Sequence, residues 1–238
     1  MNAGVPARDA DAIRLWNEAY APSHVHDQGN LWGDPPVPGA ETAARLFAEN
    51  SAAIVVDLPC GDGRNLPPLA GATKVLLAGD TSVNAMAIAE RVARQADIRD
   101  KTIFVKIDAF DTGLLSESVD GIFCWDLLGH LTNPLGALTE FGRILRPGGR
   151  IVANMWTMND CQVTDPDIRK TGPNEFIDHF GFYCRFYDER DLAELLASAG
   201  MAAESVEVSG WREPPHADYR TYEHDHESLV FTISKPKA

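Results

Sequence analysis

Acidic residues and glycines recur in this sequence where short apolar segments end. The residues concerned are Asp57, Gly61, Gly63, Asp80 and Asp108. Glycines let a backbone come close to a ligand, and a carboxylate such as Asp80 can accept both hydrogen bonds of a ribose diol. Asp108 is placed to meet the amino group of an adenine. Because the carboxyl ends of parallel strands meet at one edge of a sheet, the pattern predicts a nucleoside site at that edge.

The apolar segments alternate with amphipathic helical stretches, which is typical of βαβ units. Strands are expected at residues 53–57, 74–80, 102–108, 119–125, 150–156, 204–208 and 229–234. Helices are expected after Thr81 or Ser82 as cap, at 134–145, and after Asp188 as cap. Residues 1–50 are expected to form a helical cap of the same domain, and residues 51–238 the ligand-binding part. The long connection at 157–187 is typical of a lid or binding loop.

A dinucleotide-binding enzyme is the main rival at this point. Its fingerprint requires a third glycine three residues after the second, and Leu66 stands there. That fold also does not predict an antiparallel pair of closing strands. The sequence therefore favours a different nucleoside cofactor.

Five motifs in this order resemble those of the class I S-adenosylmethionine-dependent methyltransferases. They are VDLPCGDGR at 56–64, LAGDTS at 77–82, DA at 108–109, FCWDLLGHL at 123–131 and LRPGG at 145–149. The resemblance implies S-adenosylmethionine as cofactor and an α/β, Rossmann-like, doubly wound fold. Its seven-stranded sheet would be mostly parallel with the last strand antiparallel, with a helical N-terminal extension and a lid after strand five.

The resemblance and the strand-end pattern together give a set of expected cofactor-binding residues. These are Tyr20, Asp57, Pro59, Gly61, Gly63, Asp80, Thr81, Ser82, Asp108, Ala109 and Trp125. Tyr20, with Trp16 and Trp32, either covers the cofactor from the N-terminal side or simply packs. Pro59 stands where the family usually has glycine. Proline fixes φ and lacks an N–H donor, so it is either tolerated or changes how the aminobutyrate tail of the cofactor lies.

The candidates for catalysis at the same sheet edge are Asp126, His130, Asn154 and His224. A general base is needed only where the attacking group must lose a proton. Asp126 or His130 would act as base or as acceptor anchor, and Asn154 would hydrogen-bond the acceptor or the cofactor tail. A structural histidine at His130 and a satisfied strand-end amide at Asn154 are the alternatives.

The candidates for substrate binding are Trp156, Phe176, Tyr183, Arg185 and His216. The lid is rich in aromatic residues, which either line an apolar pocket, stack on a cation or form a small core of their own.

Residues 211–227 are expected to form a loop on the active-site side, with His224 and His226 on one face. With His216 nearby, three histidines suggest a metal, but H-x-H spacing alone completes no ligand motif, so no metal site is assigned. A general base, an anchor for an acidic acceptor group and a surface role are the alternatives.

The composition restricts the partners. A formal net charge of −14 over 238 residues disfavours nucleic acid, because its binding requires basic residues against the phosphates. No apolar run reaches the ~18 residues of a membrane helix, and no signal-peptide core precedes the domain. The scattered cysteines are consistent with free thiols in a reducing cytosol. A cytoplasmic monomer or homodimer acting on a small molecule is expected.

Three functions follow from the sequence. The first is S-adenosylmethionine-dependent methyl transfer to a small molecule, in specialised metabolism. The second is cyclisation of S-adenosylmethionine itself with release of methylthioadenosine, as in the azetidine-2-carboxylate synthases, to which the resemblance is looser; Pro59, Asn154 and the aromatic lid motivate it. The third is a non-catalytic cofactor-binding module, against which the intact cofactor motifs argue.

Overall fold

A computed structural model describes residues 7–21, 35–215 and 222–237. Its helices are α1 Ala7–Ala19, α2 Pro38–Glu49, α3 Leu66–Gly71, α4 Val83–Gln95, α5 Pro134–Ile144 and α6 Glu189–Ser198. Its strands are β1 Ile54–Asp57, β2 Val75–Asp80, β3 Thr102–Lys106, β4 Val119–Cys124, β5 Leu145–Trp156, β6 Arg169–Lys170, β7 Glu175–Ile177, β8 Tyr183–Arg185, β9 Ala203–Glu213 and β10 His224–Ser234. None of the helices in these ranges is long and apolar enough to cross a membrane.

The main sheet has seven strands in the order β3-β2-β1-β4-β5-β10-β9. β10 runs antiparallel to both of its neighbours, whereas the pairs among β1 to β5 are parallel. The expected doubly wound fold with an antiparallel last strand is therefore confirmed.

Apolar residues on both faces of the central strands explain why helices cover the sheet on both sides. In β1, Val55 packs with α2, α3 and α4, whereas Val56 packs with α5 and α6 on the opposite face. Local signals place the helix ends: Ser82 caps α4 by accepting a hydrogen bond from the Ala85 N–H, and Asp188 caps α6. These elements bring the carboxyl ends of β1, β2, β4 and β5 to one edge.

The closing hairpin is longer than the sequence predicts. β9 and β10 each have 11 residues, and His224 is paired with Glu213 and His226 with Trp211. The expectation of a loop at 211–227 was therefore wrong for residues 211–213 and 224–227, which belong to the two strands. β9 and β10 continue to pair beyond the end of β5. The cross-strand ion pair from Arg212 to Asp225, at 2.8 Å, stabilises this part of the hairpin.

The lid at 157–187 contains the small antiparallel sheet β6-β7-β8. Beneath it, Trp156, Phe176, Cys184 and Phe186 form a small buried core. Some of the lid aromatics therefore pack against one another in a small core of the lid. α1 packs on this side as well, because the rings of Trp16 and Phe182 stack at 4.1 Å between centroids.

Candidate active site

A cavity of about 150 Å³ lies at the carboxyl edge of the sheet, between the loop after β1, helix α1 and the β9–β10 hairpin. Six of the expected cofactor residues line it: Tyr20, Pro59, Gly61, Asp80, Thr81 and Trp125. Four further expected residues do so: Asp126, His130, Trp156 and His224. The sequence pattern and the fold thus converge on one space.

The loop after β1 is fixed to the end of β2 by hydrogen bonds to Asp80. One carboxylate oxygen of Asp80 accepts the Gly61 N–H at 3.0 Å, and the other accepts the Ser82 N–H at 2.8 Å. Gly61 has φ +51°, and a Cβ there would come within 3.0 Å of the Tyr20 hydroxyl. Glycine is therefore favoured at this position, because it adopts this φ without strain and has no side chain to crowd Tyr20. Burial raises the pKa of Asp80 to about 6, against the effect of these N–H donors.

Several expected cofactor residues lie behind the wall rather than along it. Asp57 is completely buried and neither of its carboxylate oxygens has a hydrogen-bond partner, so that burial and Asp80 raise its pKa well above its ordinary value. Gly63 lets the loop approach Ala89 of α4, and Ser82 is occupied as the α4 cap. Asp108 and Ala109 do not line the cavity; one oxygen of Asp108 accepts the Phe110 N–H at 2.9 Å.

Asp126 and Asn154 form a reciprocal pair at the ends of β4 and β5. The Asp126 N–H donates to Asn154 Oδ1, and Asn154 Nδ2 donates to Asp126 Oδ1, both at 2.7 Å. Asn154 also donates to Ser228 Oγ at 3.2 Å and does not line the cavity. Burial raises the pKa of Asp126 to about 6, whereas Asn154 and Arg64 lower it. Asn154 thus holds both the backbone N–H and the carboxylate of Asp126, which has the left-handed φ of +53°.

His130 is buried among aromatic rings on the other side of the cavity. Its Nδ1 donates to the Tyr183 carbonyl oxygen at 2.8 Å, which leaves Nε2 as the acceptor in the neutral ring. The rings of Trp16 and Trp156 contact it edge-on, at 5.1 and 4.6 Å between centroids. Burial lowers the pKa of His130, which favours the neutral form of the ring.

Three of the expected substrate residues do not line the cavity. Phe176 belongs to the small lid core, and Tyr183 contributes its carbonyl to His130 from a buried position. Arg185 stacks over the Tyr187 ring at 5.0 Å. The physical reason is that aromatic rings of the lid pack against one another in its small core, and a ring buried in that core does not face a ligand. His216, like Trp32, lies outside the described residues.

An ion-pair network that the sequence did not reveal lines the wall beside the hairpin. Arg64 Nη1 donates to Glu213 Oε1 at 2.8 Å, and Arg64 Nη2 lies 3.9 Å from Asp126 Oδ2. Trp211 Nε1 also donates to Glu213 Oε1, at 3.0 Å. Arg64 and Glu213 are 149 positions apart, so no local spacing could have paired them.

His226, for which the sequence left several roles open, also lines the cavity. Its Nδ1 donates to Asp160 Oδ2 at 2.9 Å, and that Asp160 oxygen also accepts the Glu227 N–H. Burial lowers the pKa of His226, but the hydrogen bonds to Asp160 and Cys161 together with the charges of these two groups outweigh burial and raise the pKa to about 10. The alternation of strand residues could have placed His226 beside His224 had the hairpin length been known.

Comparison with known proteins places the chain in a family. A model described as a methyltransferase domain matches residues 38–206. The 27-O-demethylrifamycin SV methyltransferase of Amycolatopsis mediterranei is 24% identical over 139 residues, which is 58% of this chain and 51% of that protein. Methyltransferase GfsG of Streptomyces halstedii is 28% identical over 130 residues, covering 50% of this chain and 47% of that protein. The chain thus spans about half the length of these relatives.

Among solved structures, the Burkholderia thailandensis 1,6-didemethyltoxoflavin-N1-methyltransferase has a TM-score of 0.66 at 19% identity, covering 100% of this chain and 94% of that chain. That crystal holds 1,6-didemethyltoxoflavin and S-adenosylhomocysteine. The [4+2]-cyclase SpnF has a TM-score of 0.62 at 17% identity, covering 99% of each chain. With the family match over more than half of its length, the chain belongs to the class I S-adenosylmethionine-dependent methyltransferases.

Proposed function

We propose that this protein transfers the methyl group of S-adenosylmethionine to a small molecule bound in the cavity between the β1 loop and the β9–β10 hairpin. The observation that carries the proposal is that expected cofactor residues and candidate proton acceptors line one cavity. The names of the rifamycin and toxoflavin enzymes support a small-molecule acceptor and a role in specialised metabolism.

The cofactor would lie along the wall formed by Gly61 and Asp80. Ionised Asp80 retains lone pairs for the ribose hydroxyls, and the Tyr20 hydroxyl beside Gly61 closes the wall from the N-terminal helix. Bound there, S-adenosylmethionine supplies an activated methyl group, so the protein mainly has to hold the acceptor in line and exclude water.

His130 is the proposed proton acceptor. Its Nδ1–H is committed to the Tyr183 carbonyl, and burial keeps the ring neutral, which suits a base acting near neutral pH. The Trp16 and Trp156 rings fix the imidazole plane and shield this end of the cavity from water. Asp126, held by Asn154, is the proposed anchor for a polar group of the acceptor.

The test is a panel of small hydroxyl and amine acceptors incubated with S-adenosylmethionine, with S-adenosylhomocysteine followed by mass spectrometry. His130→Gln should retain cofactor binding and lose turnover, whereas His179→Gln, which changes an exposed histidine, should keep both. Equal turnover of the two variants would remove His130 from the mechanism. Failure of every acceptor while the cofactor binds would count against methyl transfer to these classes.

Cyclisation of S-adenosylmethionine is the second candidate, and one observation favours it. Pro59 lines the cavity next to Cys60 and Gly61, where the methionine end of the cofactor is expected, and proline removes an N–H donor there. In this reaction the cofactor's own amine forms a bond to its γ-carbon, the carbon–sulfur bond breaks, and methylthioadenosine leaves with the electron pair. A base such as His130 takes the proton of the ammonium. Methylthioadenosine released together with a cyclic amino acid from S-adenosylmethionine alone would establish it.

A further inference from the structure

We propose that Glu213, His224 and His226 bind one divalent transition-metal ion in the cavity wall. Glu213 ends β9, and the two histidines are two residues apart on β10, so that strand alternation puts both imidazoles on the same face. His224 Nε2 lies 4.0 Å and His226 Nε2 lies 3.9 Å from the same oxygen, Glu213 Oε2. One ligand atom from each residue lies within 4.8 Å of the other two.

In all three side chains, the nitrogen or oxygen that would not coordinate the ion is held by a hydrogen bond. His224 Nδ1 donates to the Tyr222 carbonyl oxygen at 3.0 Å, and His226 Nδ1 donates to Asp160 at 2.9 Å. Each hydrogen bond orients the ring so that Nε2 faces Glu213. An ion bound here would displace the proton on His226 Nε2, because a coordinating histidine nitrogen must be unprotonated. A histidine whose other nitrogen is bonded to a carbonyl or carboxylate is the usual arrangement around protein-bound metals.

Hydrogen bonds also orient the carboxylate of Glu213. Its Oε1 accepts hydrogen bonds from Arg64 and from Trp211 Nε1, at 2.8 and 3.0 Å. Its Oε2 is therefore turned toward the two imidazoles. Hydrogen bonds that hold the non-coordinating oxygen of a carboxylate are part of the outer shell of such sites.

The donor set indicates the class of metal. Two imidazoles and one carboxylate suit Zn²⁺, Co²⁺, Ni²⁺ or Fe²⁺ better than the oxygen-preferring Mg²⁺ or Ca²⁺. Three protein ligands leave a further coordination position, as in catalytic zinc sites. All three residues line the cavity, so that this position faces the proposed acceptor. The site does not depend on which reaction the protein catalyses.

A second group, Asp160, Cys161 and His226, also brings possible ligands together. Asp160 is committed elsewhere: its Oδ1 accepts the Gln162 N–H at 2.9 Å, and its Oδ2 accepts from both Glu227 and His226. Asp160 therefore supports His226 as an outer-shell partner. This assignment makes Asp160→Asn and Cys161→Ser informative variants.

The experiment is a calorimetric titration of chelator-treated full chain with Zn²⁺ and, separately, with Co²⁺, whose visible absorption reports coordination. One equivalent should bind. Glu213→Gln, His224→Gln and His226→Gln should lose this binding, Asp160→Asn should weaken it by about 10–100-fold, and His179→Gln and Cys161→Ser should keep it. Titration of each variant with S-adenosylhomocysteine shows whether the cofactor site remains folded.

X-ray absorption of the wild-type Zn²⁺ protein gives a measurement that needs no variant. Two imidazole ligands and no sulfur are expected in the first shell. No stoichiometric binding, retention of binding in His224→Gln, or a sulfur ligand with loss in Cys161→Ser would each overturn the proposal.

Discussion

Asp80 should make the affinity for S-adenosylmethionine depend on pH. Burial raises the pKa of its carboxyl to about 6 in the cofactor-free protein, despite hydrogen bonds from Ser82 and Gly61. Only the ionised carboxylate accepts both ribose hydroxyls, so cofactor binding favours ionisation. At pH 5 about one tenth of the groups are ionised for a pKa of about 6, and we expect affinity about tenfold weaker than at pH 7.

The assay is calorimetric titration with S-adenosylhomocysteine between pH 5 and pH 7.5, in buffers of different ionisation enthalpy. Protons should be released on binding near and below pH 6. Asp80→Asn should bind weakly and lose most of the pH dependence of the affinity. Asp100→Asn changes an exposed carboxyl of the turn before β3 and should keep the wild-type slope. A flat wild-type profile, or an unchanged slope in Asp80→Asn, would refute this reasoning.

The stability of the cofactor-free protein should respond in the opposite direction. The folded pKa of Asp80 lies above its unfolded value of about 4, so the folded state favours the protonated group. This contribution is fully present below pH ~4 and is lost as pH rises through about 6. Relative to Asp80→Asn, the wild type should therefore lose melting temperature from pH 4 to pH 7. A difference that stays constant over this range would contradict the assignment.

Three substitutions test the remaining contacts. Asn154→Leu removes both hydrogen bonds to Asp126 from a buried site and should lower the free energy of unfolding by about 2–3 kcal/mol, measured by urea denaturation. Arg64→Met removes the buried guanidinium that pairs with Glu213 and should cost about 3–5 kcal/mol by the same measurement. His130→Gln should lower kcat by about 100-fold or more. Because burial lowers the pKa of His130, wild-type turnover should persist below pH 6.5, as a pH–rate profile would show.

Matched variants control for general damage. Arg45→Met removes an exposed ion pair to Glu49 and should change stability by less than about 1 kcal/mol. If Arg64→Met lowered the free energy of unfolding no more than Arg45→Met does, the buried ion pair of Arg64 with Glu213 would not have the expected stabilising effect. An Asn154→Leu variant as stable as wild type would mean that Asp126 finds its hydrogen bonds elsewhere.

The sequence predicted those parts of the fold that local patterns determine. β-branched apolar segments marked β1 to β5, and Ser82 and Asp188 marked the beginnings of α4 and α6. The glycine loop and Asp80 converged on the cavity because the carboxyl ends of parallel strands share an edge.

The parts that the sequence missed depend on contacts between distant residues. The polar stretch with His224 and His226 gave no strand signal, because cross-strand pairing with β9 rather than apolar alternation makes it a strand. The ion pair of Arg64 with Glu213 depends on that hairpin. Phe176 was expected against the substrate, yet it packs beneath the lid, and periodicity cannot distinguish a small core from a pocket wall.

The most direct test is to incubate the purified protein with S-adenosylmethionine alone, measuring binding by calorimetry and products by mass spectrometry. The structure predicts one bound equivalent with the cofactor left intact, and S-adenosylhomocysteine only after an acceptor is added. Methylthioadenosine with a cyclic amino acid, formed without any acceptor, would contradict methyl transfer. No binding at all would contradict the assignment of the cavity as the cofactor site.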